Sequence, residues 1–159
     1  MTYSRNFGFR SFENIVRNGR HRVKAAETLK NGAGVKLDAN GEIVAAVSAD
    51  APSVGTSGLA LYEQIDYAGV DAVATSPEDL DDVPAGNFAQ MVSGNGVKVW
   101  LKASMFEAGY DFGATAVGDP IGIGATGLYD DAGANPTWLI VEQFDATVGA
   151  EIAECRIAF

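Results

Sequence analysis

Cysteine and histidine each occur once, as Cys155 and His21. A lone thiol forms no disulfide within one chain, which excludes a small scaffold stapled by bridges. A metal site built on imidazoles or thiolates would need more of both residues. A Ser-His-Asp triad would have to use His21, which lies between Arg20 and Arg22 in a basic stretch, and no Gly-x-Ser-x-Gly elbow occurs. Long apolar runs are also missing. No window approaches the ~20 residues of a membrane span, and the opening Met-Thr-Tyr-Ser-Arg-Asn-Phe lacks the apolar stretch of a signal peptide. These absences predict a soluble chain made in a cytoplasm, with no membrane partner and no cofactor. A sustained helical period is absent as well, so a helical bundle is not expected.

Basic residues are scarce: 11 Lys and Arg stand against 21 Asp and Glu, for a net charge of −10. That balance argues against general nucleic-acid affinity. The few cations are unevenly placed. Residues 1–30 hold seven of them (Arg5, Arg10, Arg17, Arg20, Arg22, Lys24 and Lys30) with only Glu13 and Glu27, a local charge of +5; residues 31–159 carry −15. Tyr3, Phe7, Phe9 and Phe12 are interleaved with the first of these cations. A solvated tail rarely carries so many rings, because burying each is worth roughly 1.5–3 kcal/mol. The pattern predicts an extended arm over residues 1–20 that docks on an acidic neighbour, with Arg side chains as carboxylate forks and rings as anchors. Arg interleaved with aromatics also occurs in single-strand nucleic-acid binders, a reading the acidic body opposes.

The remainder, 21–159, reads as one β-rich body. Residues 34–38 meet 42–47 across Asn40-Gly41, the strongest short hairpin signal. Further strands are predicted over 59–65, 70–74, 137–144 and 151–159, the last with Ala153, Cys155, Ile157 and Phe159 inward. Residues 87–92 and 97–103 are predicted to form a second hairpin through Gly94-Asn95-Gly96, with Val97, Val99, Leu101 and Ala103 on one face and Lys98, Trp100 and Lys102 on the other. Ser76-Pro77-Glu78-Asp79 is a helix-start signature, with Pro84 ending that helix within two turns. A helical turn is expected over 104–109. The sum is an all-β, β-dominated fold: a small barrel or sandwich of short antiparallel strands.

Motifs with chemical meaning are weak. Gly122-Ile123-Gly124-Ala125-Thr126-Gly127 matches a dinucleotide fingerprint, but residues 128–136 read as loop rather than the helix the mechanism needs. Asp38-Ala39-Asn40-Gly41-Glu42 lacks the remaining ligands of a calcium loop. Cys155 is expected to be a buried, inert thiol. No pair among the body's acids is selected for carboxylate catalysis, so no enzyme is expected.

Residues 28–47 (Thr-Leu-Lys-Asn-Gly-Ala-Gly-Val-Lys-Leu-Asp-Ala-Asn-Gly-Glu-Ile-Val-Ala-Ala-Val) resemble the opening hairpin of tailed-phage capsid decoration, or cement, proteins. The Gly/Ala-rich body and the strand-like C-terminus are similar too. The resemblance implies a small barrel of the β-tulip type, often a homotrimer, that sits on the outer surface of the virion. There it would stabilise contacts between major capsid subunits without catalysis. On this reading Tyr3, Arg5, Phe7, Phe9, Arg10, Phe12, Arg17 and Arg20 contact the major capsid protein. A different class is a carbohydrate- or host-surface-binding β-sandwich of a phage fibre or adhesin, with Trp100, Trp138 and Tyr129 as its stacking platform.

Overall fold

The computed structural model describes residues 6–10, 15–62, 82–83 and 85–159. Their strands in chain order are β1 (Phe7–Phe9), β2 (Val16–Arg22), β3 (Leu29–Lys30), β4 (Gly34–Leu37), β5 (Ile43–Ala45), β6 (Ser57–Leu61), β7 (Asp82–Val83), β8 (Phe88–Ser93), β9 (Lys98–Lys102), β10 (Pro120–Ile123), β11 (Tyr129–Asp131), β12 (Leu139–Asp145) and β13 (Ile152–Ile157). All pair antiparallel within their sheets, and they build an all-β sandwich. One sheet has the order β1-β9-β13-β12-β10-β11 and the other β2-β8-β6-β4-β5, while β3 and β7 form a small ribbon. Among the described residues the only helical pieces are short 3-10 turns, one of them Ala103–Met105 at the start of the predicted helical turn.

Alternation in the sequence decides which side of each strand is dry. Val99 and Leu101 of β9, Ala153, Cys155 and Ile157 of β13, and Leu139 and Val141 of β12 point inward with almost no exposure. They meet Leu59 of β6 across the sandwich. The other side of the second sheet is buried as well: Val35, Ala60 and Met91 pack with Leu29 and Val83 of the β3–β7 ribbon. Two large polar-tipped rings sit inside and find partners, as buried Tyr and Trp require. Tyr129 donates its hydroxyl proton to the Gly32 carbonyl (2.7 Å), and Trp138 Nε1 donates to the Asp50 carbonyl (3.0 Å).

Several expectations hold. The hairpin at Asn40-Gly41 forms between β4 and β5, with the Asp38 carboxylate accepting from the N–H groups of Asn40 and Glu42. Those bonds, with the Lys24 ion pair at 3.2 Å, occupy the carboxylate that the calcium-loop reading would have used. Cys155 is fully buried, and burial pushes its thiol up to about 12. It should therefore resist iodoacetamide at pH 8 in the folded protein and react once the chain is denatured. The same shift has a sign for stability. A thiol held protonated in the fold contributes fully below its unfolded value near 9.0, and that contribution is lost as pH rises toward 12.

Other expectations are corrected. The segment 94–96 does not close a hairpin: β8 belongs to one sheet and β9 to the other. Gly94 and Gly96 donate their N–H groups to Phe159 and Ile157 carbonyls, so the turn is a corner stitched to the C-terminal strand. Asp82–Val83, expected at the end of a helix, pair with β3 instead. The helix-start residues 76–79 and the strand candidate 70–74 lie outside the described residues, as do residues 63–65.

Where it is described, the segment 1–20 lies against the rest of the chain. β1 adds to the edge of the six-stranded sheet, pairing Phe7 with Leu101 and Phe9 with Val99. Phe7 is only 6% exposed and belongs to the core, with Phe9 edge-on to it at 5.2 Å. The arm–body boundary at 20/21 falls inside β2. The rings do seek burial, but in their own chain's interior. Tyr3, Arg5 and Phe12 lie outside the described residues.

Candidate functional site

The cations of the N-terminal third divide into two groups. Arg10 pairs with Glu154 (3.1 Å), Lys24 with Asp38 (3.2 Å), and Lys36 with Asp50 (2.8 Å). Lys30 donates to the Ser104 carbonyl. These have partners within the chain, as Arg17 does through Gln90. Arg17, Arg20 and Arg22 are exposed and all lie on β2, an edge strand of the five-stranded sheet. Among the described residues neither Arg20 nor Arg22 forms an ion pair.

The register of β2 brings the three together. Arg17 stands opposite Val92, Arg20 opposite Gln90 and Arg22 opposite Phe88. Residues directly opposed on antiparallel strands project from the same face, and Val92, Gln90 and Phe88 alternate along β8. The three arginines therefore share one face. In a regular strand Arg17 and Arg20, three apart, would point to opposite sides. A bulge between them adds the extra residue that realigns them. Gly19 lies in that bulge with φ +78°, a left-handed conformation that costs a residue bearing a Cβ about 1–2 kcal/mol. Asn18-Gly19 is thus a bulge, where the same dipeptide at Asn40-Gly41 is a hairpin turn.

Around the arginines the face is graded. Val92 is buried, Gln90 is half-buried and accepts from Arg17 (3.2 Å), and the Phe88 ring is 53% exposed. Nothing here resembles a catalytic arrangement. His21 points to the other face of β2, opposite Ala89, and its Nε2 lies 3.1 Å from the Asn18 carbonyl oxygen. The arrangement suits recognition: guanidinium forks aimed one way, an aromatic anchor beside them, and a strand edge with no ladder neighbour over Val16–Arg22 among the described residues, although Val23, next along, bridges Ile43 of β5.

Of the sequence-predicted contact residues, the fold thus brings Arg17 and Arg20 together at a surface. Arg10 is held in an ion pair, and Phe7 and Phe9 are turned into the protein. Phe88 and Gln90 were missed, since residues some seventy positions away join the site only through the β2–β8 pairing.

The glycine fingerprint at 122–127 is the turn between β10 and β11. Its backbone N–H groups do gather an anion, but the chain supplies it: Glu107 Oε1 accepts from Ala125 N–H (2.9 Å), Thr126 N–H (3.4 Å) and the Thr126 hydroxyl (3.3 Å). Three Asp or Glu side chains arranged to hold a metal do not occur among the described residues. No helix there is long and apolar enough to cross a membrane. Trp138 and Tyr129 are fully buried, which removes them from the stacking platform proposed with Trp100. The fold is an antiparallel β-sandwich with three arginines aligned on one edge strand. No protein family and no curated protein matches the chain.

Proposed function

We propose that this protein is a structural capsid decoration protein: it binds the outer surface of a tailed-phage head and stabilises contacts between major capsid subunits. It acts as a clamp and not as an enzyme. The observation that carries the reading is the alignment of Arg17, Arg20 and Arg22 on one face of an edge strand, on a body that is otherwise strongly acidic. An acidic body repels an acidic surface everywhere except at this edge, so the charge distribution selects orientation as well as affinity. An extended acidic segment of the major capsid protein would add to the β2 edge by main-chain hydrogen bonds and place carboxylates on the arginines. The hairpin resemblance at residues 28–47 points to the same class. Single contacts need not be tight, because a homotrimer engages several capsid subunits at once.

The test has two parts. The gene should lie beside one for a major capsid or scaffold protein, and undecorated heads assembled from that capsid protein should take up the chain in a salt-sensitive manner. A different gene neighbourhood, or heads that sediment without it at low salt, would refute the assignment.

The bulge supplies a charge-neutral check. Gly19→Ala keeps every arginine but strains the left-handed turn, and a Cβ there meets only His21, at 3.6 Å, so crowding is not the difficulty. The variant should fold with a melting temperature lower by about 2–8 °C and bind heads several-fold less well. Unchanged binding would show that alignment of Arg17 with Arg20 is irrelevant.

A further inference from the structure

The outer face of the six-stranded sheet carries an open cavity of about 170 Å³. It arises from two cross-strand rows. Trp100 of β9 stands beside Glu154 of β13, which stands beside Gln143 of β12; Lys102, Ile152 and Asp145 form the next row. A bulge between Val141 and Gln143 adds Glu142 to β12. Glu142 is taken up by Arg156 (2.9 Å) and Lys98 (3.7 Å), while Gln143 lines the cavity. Bulges commonly re-aim side chains in this way beside binding sites. On the other side, β1 presents Gly8 opposite Trp100, and a Cβ at residue 8 would overlap the indole. The glycine lets the ring lie across β1 and leaves it 8% exposed at the cavity.

We propose that this cavity binds one neutral pyranose ring, free or as the end of a glycan. A pyranose has apolar C–H faces and a rim of hydroxyls that both donate and accept. The lining answers each part. The edge of Trp100, together with Ile152, offers apolar surface. Glu154 and Asp145 accept, Arg10 donates, and Gln143 does both. Arg10 and Glu154 hold each other at 3.1 Å, so neither charge demands a counter-ion from the ligand. An anionic sugar would meet the Asp145 carboxylate, which has no cation among the lining residues to offset it. The volume is below the ~300 Å³ at which drug-sized sites begin, which limits the occupant to a single ring. The site is separate from the arginine face and independent of the capsid reading.

The chain holds two tryptophans, so its nitrogen-15 NMR spectrum has two indole N–H signals. Trp138, buried and bonded to the Asp50 carbonyl, is an internal control. The methyl glycosides of glucose, galactose, mannose and N-acetylglucosamine should be titrated separately into the full chain. At least one should move the Trp100 signal saturably at roughly millimolar concentration while Trp138 stays in place. Gln143→Ala should weaken that ligand about tenfold, and Glu154→Gln should do the same. Gln143→Ala disturbs no ion pair, so its loss of binding would not be a folding defect. The proposal fails if none of the four glycosides shifts Trp100 saturably. It fails equally if the shift survives both substitutions, or if sialic acid moves the signal and the neutral sugars do not.

Discussion

Reversing Arg17, Arg20 and Arg22 together to Glu is expected to abolish decoration of heads while leaving the melting temperature nearly unchanged. The three side chains are exposed on an edge strand, and none supports the core, so the folded state loses little. Binding loses much more. Exposed ion pairs are worth up to about 1 kcal/mol each, and three of them removed at once amount to roughly a hundredfold in affinity before any repulsion is counted. Reversal adds that repulsion, because the altered edge then matches the acidic character of the rest of the chain. Substitution to Gln should give an intermediate loss and flatten the salt dependence. Sedimentation of heads with each variant, across a salt series, reads both effects. Full occupancy by the triple Glu variant would remove the arginine face from the mechanism.

Trp138→Ala is expected to have the largest effect on stability. The side chain is fully buried, packs edge-on against Phe159 at 5.3 Å, and donates to the Asp50 carbonyl. Truncating a buried Trp costs about 3–5 kcal/mol, a large share of the 5–15 kcal/mol that holds a typical domain together. For a chain of this size that is a fall of roughly 10 °C or more in melting temperature. Trp138→Phe keeps most of the apolar volume but leaves the Asp50 carbonyl without its donor, and should fall between the two. Calorimetry measures both. A loss under about 1 kcal/mol for the Ala variant would place the centre of the core elsewhere.

Local chemistry made parts of this architecture readable from the chain alone. Val97, Val99 and Leu101 alternate with Lys98, Trp100 and Lys102, and the two sets do separate into an inner and an outer face. Ala153, Cys155 and Ile157 behave likewise. Asn40-Gly41 makes the turn its residues favour. What escaped were features set by distant partners. Gly94-Asn95-Gly96 has the composition of a hairpin turn, yet the C-terminal strand captures its N–H groups and sends β9 into the other sheet. The rings of Phe7 and Phe9 announced a need for burial, but nothing nearby in sequence says whose interior receives them. Arg17 and Arg20 stood out by charge, whereas their alignment depends on a bulge visible only in the β2–β8 register. The two rows of the outer cavity come from three strands and the segment after β1, and no single stretch of sequence contains them.

The central claim is that the β2 edge is the docking surface. Amide hydrogen exchange, compared between free protein and protein bound to heads, tests it most directly. The account predicts new protection concentrated in Val16–Arg22 and at Phe88 and Gln90, with little change in β10 and β11 on the other sheet. Protection that appears elsewhere while the β2 amides exchange as they do in the free protein would contradict it.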